Sequence, residues 1–448
     1  MAVAVSIRPH GPDMKPLVGA LSPFRRDGPR FLLEQAQRYG DVVYFRLGPQ
    51  DVYLLNRPEY VKDVLVTQQS KFTKSRTLQR SKILLGEGLL TSEGSLHVRQ
   101  RRLVQPAFHR ERLAGYGEAM IAYAARTRER WHDGETMDVA EQMTHLTLAI
   151  VAKTLFSSDV EAEAPQIGQA LTDILGLFNM LVIPFSELLR RLPLPMNRKF
   201  EKARKRLDAT IYRIIEERRT SGEDRGDLLS MLLLAQDEEG TGGMSDTQVR
   251  DEALTLFLAG HETTANALTW AWYLLSQNPE AEARLRAELD CALQGRLPRV
   301  EDLPRLIYTG TVFSEALRLY PPAWVVGRMA TVDCEVAGYA IPAGTLLMMS
   351  PYVAHRNPRY FPEPERFDPE RWTPEEQEKR PRFAYYPFGG GTRVCIGERF
   401  AWMEGVLLLA TIAQKWRLRL LPGHPVAYRA MLTLRAREGM KMVAECAA

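Results

Sequence analysis

One residue whose type and position could do chemistry is a cysteine that lies where a glycine-rich loop leads into a helix. Cys395 follows three consecutive glycines at 389–391, and apolar residues at helical spacing continue over 396–415. A thiol at a helix N-terminus meets unpaired backbone N–H groups and the positive end of the helix dipole, and both favour the thiolate. Because glycines have no Cβ, they allow tight turns and close approach of a flat ligand. The pattern indicates a thiolate beside such a ligand; the alternative is a buried, inert cysteine.

The second feature is a polar segment inside the longest helix that the sequence predicts. Ser245 and Gln248 form a capping-box pattern, and apolar periodicity continues to about residue 276, which predicts a rod of about 48 Å. Half-way along, residues 259–264 read Ala-Gly-His-Glu-Thr-Thr. Glycine and β-branched threonine are poor choices for a helix interior, and a carboxylate is costly to bury without partners. Such a local exception indicates function, although the threonines could also bond to carbonyls four residues earlier and bend the helix.

Two further segments place charged residues on one face of a helix. His97 and Arg101 are four residues apart, and Glu315 and Arg318 are three apart. A guanidinium can donate two parallel hydrogen bonds, so Arg101 suits a ligand that carries a carboxylate. Read alone, each pair is also typical of a solvated helix surface, where it contributes only about 0.2–0.5 kcal/mol.

Together these segments resemble the cytochrome P-450 family. The cysteine loop of that family reads Phe, two residues, Gly, one residue, Arg, one residue, Cys, one residue, Gly. The same spacing falls here, without departure, on Phe388, Gly391, Arg393, Cys395 and Gly397. The family's Ala-Gly-x-Asp/Glu-Thr-Thr/Ser segment is matched at 259–264, and its Glu-x-x-Arg helix at 315–318.

The resemblance implies heme b as the cofactor, with Cys395 as the axial ligand of its iron. Carried over in the same way, Thr263 faces bound dioxygen and Glu262 helps to relay protons, which makes these two the candidate catalytic residues. The other implied heme contacts come from the cysteine loop and from basic residues that reach the propionates: Phe388, Arg393 and Gly397, and then His97, Arg101 and Arg328.

The implied substrate pocket is lined by apolar residues from separate parts of the chain: Leu84, Leu85, Ala259, Ala323, Val325, Val326 and Leu434. Residues 75–92 resemble the loop that caps the pocket in the family, although each leucine there is equally compatible with plain core contacts. Ala259 and Gly260 would leave room for dioxygen and substrate. A pocket of this composition favours a greasy substrate that is held by shape. Residues 175–185 match the position of the family's mobile lid helices but could equally face lipid, a partner or the core.

In the family, the Glu-x-x-Arg helix is joined by an arginine from a later segment. Two segments offer one, at 364–367 and at 369–372, and the spacing to the cysteine favours Arg371. We therefore interpret Glu315, Arg318 and Arg371 as a structural network that holds the segment before the cysteine, and not as catalysts.

The resemblance implies a mainly α fold with a small β region, in which heme lies between the long helix and the helix after the cysteine loop. The chain itself offers strand candidates at 41–47 and 51–56, where apolar residues alternate weakly. We expect a single monooxygenase domain over 1–448 without a fused reductase. Its β structure is expected mainly at 40–60, at 320–360 and near the C-terminus.

Composition argues against several classes of protein. The 4 cysteines lie far apart and form no CxxC pair, which argues against a structural zinc site or a disulfide framework and for a reducing compartment. A formal net charge of +4 is too small to imply nucleic acid binding. No apolar run reaches the roughly 18 residues that span a bilayer, and residues 1–12 lack the apolar core of a signal peptide. We expect a soluble, cytoplasmic, monomeric protein without a membrane anchor.

The resemblance implies a monooxygenase that inserts one oxygen atom from O2 into a lipophilic organic substrate, with hydroxylation as the expected outcome. A thiolate donates electron density through iron, which promotes cleavage of a bound O–O bond. Two electrons must come from outside the chain, because no second glycine-rich dinucleotide motif follows a strand. An acidic ferredoxin or flavodoxin, served by an NAD(P)H reductase, is expected to dock on basic residues near the cysteine: Arg99, Arg102, Arg110, Arg112, Arg399, Lys415 and Arg417.

Two rival functions exist within the same resemblance. One is a peroxide-using or isomerising member of the family; such members commonly lack the acid–alcohol pair, so Glu262 and Thr263 argue against it. The other is a heme-thiolate sensor or ligand carrier, which would need neither a proton relay nor an open apolar pocket. The sequence does not name the substrate, since fatty acid, terpenoid, steroid and polyketide all suit an apolar pocket.

Overall fold

The computed structural model describes residues 8–13, 18–157, 194–234 and 243–447. The candidate lid segment at 175–185 lies outside these residues. The chain divides into two compact units: the first is formed by Met1–Gln79 and Leu317–Cys395, and the second by Arg80–Ala316 and Ile396–Ala448. The division falls directly after Cys395, so the cysteine loop belongs to the first unit and the helix that follows it to the second.

Helices dominate the described secondary structure, which confirms the predicted mainly α class. Within the described ranges, no helix combines the length and the apolar character that crossing a bilayer would require. In chain order the helices are α1 (Leu21–Arg26), α2 (Gly28–Tyr39), α3 (Pro58–Lys62), α4 (Arg76–Arg80), α5 (Lys82–Leu85), α6 (Gly94–Val104), α7 (Arg110–Glu129), α8 (Val139–Phe156), α9 (Pro195–Ser221), α10 (Leu228–Leu234), α11 (Asp246–Gln277), α12 (Pro279–Leu293), α13 (Ile307–Leu319), α14 (Pro351–Ala354), α15 (Pro374–Glu378) and α16 (Glu398–Ala413).

The strands are short and form several small sheets. In chain order they are β1 (Val42–Leu47), β2 (Gln50–Leu55), β3 (Phe72–Lys74), β4 (Thr136–Asp138), β5 (Val326–Ala330), β6 (Cys334–Val336), β7 (Tyr339–Ile341), β8 (Leu346–Met349), β9 (Trp416–Leu420), β10 (Tyr428–Ala430), β11 (Leu434–Ala436) and β12 (Lys441–Cys446).

The first unit contains a five-stranded sheet in the order β1-β2-β8-β5-β3. β1 and β2 form an antiparallel hairpin that turns at Gly48 with a φ of +60°, and Tyr44 lies opposite Tyr53. β2 runs parallel to β8, whereas the other neighbours are antiparallel. The two strands predicted at 41–47 and 51–56 are therefore confirmed. Their alternation is weak because successive residues of β1 are buried, so that both faces of the strand are covered.

The second unit is built around α11, a helix of 32 residues. Its N-terminus carries the predicted capping box: the hydroxyl of Ser245 accepts from the N–H of Gln248, and the Gln248 side chain accepts from the N–H of Ser245 at 3.0 Å. α8 packs along α11. A Cβ on Gly260 would lie 2.9 Å from Cγ2 of Val151 on α8, so this glycine allows the two helices to pack closely. The room that it is expected to leave for a ligand remains a prediction.

Two other contacts fix the helix that follows the cysteine and the C-terminal hairpin within the second unit. α16 packs on α7, with the rings of Phe400 and Tyr116 5.9 Å apart. A small antiparallel sheet has the order β4-β12-β9, and β10 and β11 form a separate hairpin. The hairpin is attached to α11 because Nε1 of Trp270 donates to the backbone oxygen of Leu434 at 3.0 Å.

Differences from the sequence expectations occur in short elements and at element ends. The segment 75–92, expected as a loop, contains α4 and α5, because helices of four or five residues carry too little periodicity to be recognised. β3 and β4 lie outside the predicted β regions for the same reason. The helix after the cysteine begins at Glu398 rather than at residue 396, with Gly397 as its N-cap.

Candidate active site

The loop that carries Cys395 is closed by its own backbone. The N–H of Cys395 donates to the oxygen of Phe388 at 3.0 Å, and the 3-10 turn Gly391–Arg393 lies between the two residues. The side chain of Cys395 is exposed, whereas an inert structural cysteine is usually buried. In the chain, Cys395 precedes the first residue of α16 by three positions.

Two glycines of the loop are required because neighbouring chain approaches closely. Gly391 has a φ of +71°, and a Cβ there would lie 1.8 Å from the backbone oxygen of Leu65. At Gly390 a Cβ would lie 2.5 Å from the ring of Phe383. Gly389 also has a positive φ, of +74°, but nothing lies within 4 Å of its Cβ position. Packing inside the first unit, and not only access for a ligand, therefore explains the glycine run.

One face of α11 is open half-way along a helix that is otherwise buried. From Val249 to Trp272 every residue of α11 is buried except Ala259, Gly260 and Thr263. Ala259 and Thr263 are four residues apart and therefore share one helix face, whereas Gly260 lies against Val151 of α8. An open patch in the middle of a buried helix fits a site for a bound group, and it coincides with the polar segment that the sequence singles out.

The two threonine hydroxyls of this segment bond to the helix backbone. Oγ1 of Thr263 donates to the oxygen of Ala259 at 2.8 Å, and Oγ1 of Thr264 donates to the oxygen of Gly260 at 3.3 Å. The structural interpretation of the threonines is therefore correct. It leaves a catalytic role open, because a hydroxyl that donates its hydrogen still has lone pairs to accept another. For Thr263 this acceptor lies on the open face, whereas Thr264 is buried.

Glu262 is buried and surrounded by hydrogen-bond donors. Both carboxylate oxygens accept from the guanidinium of Arg435, and Oε1 also accepts from Oγ1 of Thr433 at 2.7 Å and from Nδ2 of Asn266 at 3.0 Å. Burial alone raises the pKa of Glu262, but the hydrogen bonds and charge of Arg435 outweigh burial and hold the pKa below its ordinary value. Sequence reasoning missed Arg435 and Thr433. Their spacing of two residues beside β11, which puts both on one face of a strand, was the available signal.

The residues present fit a heme group. Cys395 offers one exposed sulfur, and no group of three or more His, Cys, Asp or Glu side chains that could hold a metal occurs in the described parts of the chain. Cys395 is thus part of no such group among the described residues, and a metal at its sulfur would take further ligands from a cofactor, as a porphyrin provides. Within the second unit, the open face of α11 at Ala259 and Thr263 would by itself accommodate a flat group.

The basic residues predicted to bind heme propionates are divided between the two units. In the second unit, His97 is buried on α6, with Nδ1 3.5 Å from Oγ of Ser92, and Arg101 is half-buried one turn later. In the first unit, Arg328 on β5 and Arg393 in the cysteine loop are also half-buried. Half-burial is compatible with a guanidinium that lies beside a bound ligand. The propionate contacts remain predictions.

The predicted pocket residues differ in exposure. Ala323 is exposed and Val325 and Val326 are half-exposed, as expected of residues that line an open surface. Leu84, Leu85 and Leu434 are instead buried. For these three leucines core packing is part of the explanation, and their contact with substrate remains a prediction.

The segment after Leu84 and Leu85 is tied to α11 by two buried carboxylates. Oδ2 of Asp251 accepts from the N–H of Glu87 at 2.8 Å. Oε2 of Glu252 accepts from the N–H of Leu89 at 2.9 Å. A Cβ on Gly86, which has a φ of +55°, would lie 1.9 Å from Asp251 Oδ2. These contacts position the candidate pocket loop within the second unit, and no sequence pattern had indicated them.

The predicted structural network is partly visible inside the first unit. Arg318 is fully buried and donates to the backbone oxygens of His355 at 2.9 Å, Pro364 at 2.6 Å and Arg366 at 3.0 Å. Arg371 donates to the oxygen of Glu363 at 3.0 Å. Both arginines thus hold the backbone of the segment before the cysteine. The participation of Glu315, which is also fully buried, remains a prediction.

The predicted docking residues are not equally available for a partner. Arg102, Arg110 and Arg399 are exposed. Arg112 is also exposed, but its Nη1 donates to the oxygen of Gly226 at 2.8 Å. Lys415 forms an ion pair with Glu129, so part of its charge is already neutralised.

Comparison with known proteins shows to which family the chain belongs. A family model described as cytochrome P450, written here P-450, matches residues 9–436. Cyclooctatin synthase of Streptomyces melanosporofaciens is 46% identical over 411 residues, which cover 91% of this chain and 89% of the relative. Cyclooctat-9-en-7-ol 5-monooxygenase of the same species is 40% identical, with 92% and 90% covered. Pentalenene oxygenase of Streptomyces avermitilis is 39% identical, with 94% of each protein covered.

The chain belongs to the cytochrome P-450 family. As a cytochrome P-450 it is a heme-thiolate monooxygenase. It inserts one oxygen atom from O2 into a lipophilic organic substrate and uses electrons from a redox partner. The family, the cofactor and the type of reaction predicted from the sequence are thereby confirmed. The roles of individual residues remain predictions.

The packing of the cysteine loop can be tested with two matched glycine variants. Gly391→Ala and Gly389→Ala both place a Cβ at a positive φ, which costs about 1–2 kcal/mol, but only Gly391→Ala also meets the oxygen of Leu65. We expect Gly391→Ala to lose most of the red-shifted absorption that the carbon monoxide complex of a thiolate-bound heme gives. Gly389→Ala should retain it. Equal losses in the two variants would mean that the contact with Leu65 does not position the loop.

Proposed function

We propose that this cytochrome P-450 hydroxylates a cyclic terpenoid. The single observation that carries the proposal is the set of relatives: cyclooctat-9-en-7-ol 5-monooxygenase and pentalenene oxygenase are each about 40% identical over more than nine-tenths of the chain. Their names describe a 5-monooxygenase of cyclooctat-9-en-7-ol and an oxygenase of pentalenene. The apolar character of the candidate pocket residues also suits such a substrate, since a rigid apolar ring system is held mainly by shape.

We further propose that Cys395 is the axial ligand. Its exposed thiol and its place just before the N-terminus of α16 support this role, because both favour a reactive thiolate. When heme is bound, it supplies the activation of dioxygen, and a thiolate ligand promotes O–O cleavage by donating electron density. Gly397 is the N-cap of α16, and a Cβ there would make only an ordinary 3.7 Å contact with Phe108. Packing in the second unit does not require this glycine, which supports its predicted place in the heme-binding loop.

The proposed role of Thr263 is to hold and pass on a proton at the open face of α11. Its hydroxyl donates to the oxygen of Ala259 and keeps lone pairs for an incoming proton donor such as water. Glu262, next to it in the chain, is the proposed source of protons. Because hydrogen-bonded groups can deliver protons one at a time, the apolar site can receive protons without admitting bulk water.

We also propose that the redox partner is an acidic ferredoxin or flavodoxin. The exposed positions of Arg102, Arg110 and Arg399 support this, because a patch of like charge steers an oppositely charged partner. The family match extends over both units, from residue 9 to residue 436, which supports a single catalytic domain.

The substrate class can be tested by spectral titration of the ferric heme protein. Cyclic terpene alcohols and hydrocarbons are expected to convert the heme from low to high spin, and straight-chain fatty acids of equal carbon number are the matched control. With a surrogate ferredoxin and reductase, a binding terpenoid should gain one oxygen atom that derives from labelled O2. Binding without turnover would favour a ligand carrier, and product formation only with added peroxide would favour a peroxide-using enzyme.

The role of Thr263 can be tested by comparing three variants. In Thr263→Ala, product per electron pair should fall by about tenfold or more, with peroxide released instead, because a positioned proton-transfer group contributes roughly 10²–10⁴-fold. Thr263→Ser keeps the hydroxyl and should retain coupling. Thr264→Ala removes the neighbouring buried hydroxyl and is the control for loss of a helix hydrogen bond. Unchanged coupling in Thr263→Ala would remove this residue from the mechanism.

The docking proposal predicts that electron transfer depends on ionic strength. The rate of heme reduction by an acidic ferredoxin should fall as salt rises, because exposed charges farther apart than about 8–10 Å are screened at 0.1–0.15 M salt. Arg399→Gln should lower the rate at low salt and weaken the salt dependence, whereas Arg429→Gln, an exposed arginine of β10, should do neither. A reduction rate that is insensitive to salt would contradict the proposal.

A further inference from the structure

Arg250 on α11 joins two carboxylates that belong to different helices. Its Nε donates to Oδ1 of Asp208 on α9 at 2.8 Å, and its Nη2 donates to the same oxygen. Its Nη1 donates to Oδ1 of Asp251, the next residue of α11, at 2.8 Å. The side chains of Arg250 and Asp251 are each only 9% exposed, so the bridge is largely shielded from solvent and from screening by salt.

The bond between the neighbouring residues Arg250 and Asp251 is not one that a helix makes by itself. Consecutive side chains of a helix point about 100° apart and do not face each other. The guanidinium of Arg250 therefore reaches Asp251 only by lying across the helix surface, and its two bonds to Asp208 hold it there. Loss of the Asp208 carboxylate should free the guanidinium from Asp251.

The carboxylate of Asp251 connects this bridge to the candidate pocket loop, residues 84–89. One oxygen, Oδ1, accepts from Arg250, and the other, Oδ2, accepts from the N–H of Glu87 at 2.8 Å. A Cβ on Gly86 would lie 1.9 Å from Oδ2, so the backbone of the loop rests directly on the carboxylate. A shift of the Asp251 carboxylate must therefore shift the loop.

The same part of the loop is held by two further contacts. Nε2 of Gln100 on α6 donates to the oxygen of Glu87 at 2.6 Å. A Cβ on Gly88 would lie 2.2 Å from Oγ1 of Thr255 and 2.6 Å from the backbone oxygen of Asp251. Backbone that is packed this closely has few alternative positions. Because the candidate pocket residues 84 and 85 directly precede it, its position sets where their side chains lie.

We propose that Arg250 is a positioning residue for substrate binding, which couples the placement of α9 to that of the candidate pocket loop through Asp208 and Asp251. Arg250 acts through the backbone of the loop and not by contact with the substrate. Because an apolar pocket selects by shape, a displaced loop changes which ring system fits and which carbon is presented for oxidation. The proposal rests on the proposed function, in which Leu84 and Leu85 are pocket residues, and its first test is independent of that function.

A second contact from α9 reaches the chain just before the loop. Nη1 of Arg204 donates to the backbone oxygen of Ile83 at 3.4 Å, and Arg204 also pairs with Glu201 at 2.9 Å. The bond to Ile83 is longer than the bonds of Arg250, and the Arg204 side chain is 34% exposed. We therefore assign the coupling to Arg250 and use Arg204→Gln as the comparison.

The first test is hydrogen exchange of the Glu87 N–H in the substrate-free heme protein, followed by mass spectrometry. Asp208→Ala removes the anchor on α9 without touching the loop and should speed this exchange by about 2- to 30-fold, the range of couplings carried by a shared network. Asp246→Ala is the matched control and should leave the exchange unchanged, because Asp246 joins α11 to α9 through a different ion pair, with Arg219 at 2.8 Å. In an Arg250→Gln background, Asp208→Ala should have no further effect.

The second test is substrate binding. In Asp208→Ala and in Arg250→Gln, the Kd of a terpenoid from spin-state titration should rise by about 2- to 30-fold, and the ratio of product regioisomers should change. The red-shifted spectrum of the carbon monoxide complex should stay that of the parent, because the network contains no residue of the cysteine loop. Arg204→Gln should change neither the Kd nor the product ratio.

Arg250→Gln leaves Asp251 buried without a cation, which can prevent folding. In that case the variant to use is Arg250→Gln/Asp251→Asn. It removes both charges and keeps a side-chain oxygen that accepts from the N–H of Glu87.

Four outcomes contradict the proposal. Parent exchange at Glu87 in Asp208→Ala would mean that the ion pair only joins two helices, and equal acceleration in Asp246→Ala would indicate general loosening of α9. An effect of Asp208→Ala that persists in the Arg250→Gln background would assign the coupling to another contact. Altered exchange with parent values of the terpenoid Kd and product ratio would remove Arg250 from substrate positioning. A protein that binds no terpenoid would contradict the proposed substrate class, and the exchange comparison would still decide whether Arg250 couples α9 to the loop.

Discussion

Carboxylates that are buried along α11 need hydrogen-bond donors. This requirement fixes where neighbouring segments of the second unit lie. Asp251, Glu252 and Glu262 are all buried in this helix, and an unpaired buried carboxylate costs several kcal/mol. The helix backbone cannot supply their donors, because its N–H groups are already used. Some donors are side chains of α11 itself, Arg250 and Asn266. The others come from segments that pack on the helix: backbone N–H groups at 87 and 89, and the side chains of Thr433 and Arg435. In this way a single helix positions the candidate pocket loop and the C-terminal hairpin together.

In the cysteine loop of the first unit, an exposed thiol is carried by a backbone of defined conformation. Exposed loops are usually variable in conformation, but this one is closed by the bond from Cys395 to Phe388 and packed against Leu65 and Phe383. The glycines make that packing possible because no side chain intervenes. The closed and packed backbone therefore holds the sulfur of Cys395 in a defined place, as a metal ligand would require.

The reaction of this family requires few groups from the protein. A heme-thiolate monooxygenase needs one ligand, a controlled proton path and an apolar surface, and the cofactor supplies the remaining chemistry. Thr263 combines a backbone bond with an open acceptor, so one hydroxyl serves both the helix and the proposed proton path. The substrate-binding surface remains a prediction; if the apolar residues proposed for it line the pocket, they would select a substrate mainly by shape.

The sequence by itself determined the family, the cofactor chemistry and the long helix α11. The spacing from Phe388 to Gly397 and the segment at 259–264 are local patterns, and a local pattern can be recognised in the sequence without knowledge of the fold. The same is true of α11, whose capping box and periodicity are contained in 32 consecutive residues.

Only the tertiary structure decided what holds Glu262. Arg435 lies 173 residues away in the chain, and its two-residue spacing from Thr433 is a local signal that does not identify Glu262 as the partner. The same holds for Asp251 and Glu252, whose partners are more than 160 residues away, and for Gly391, whose necessity comes from the oxygen of Leu65. The physical reason is common to all of them. A buried charge or a required glycine is explained by the segment that packs against it. That segment is distant in the sequence, and only the folded chain brings the two together.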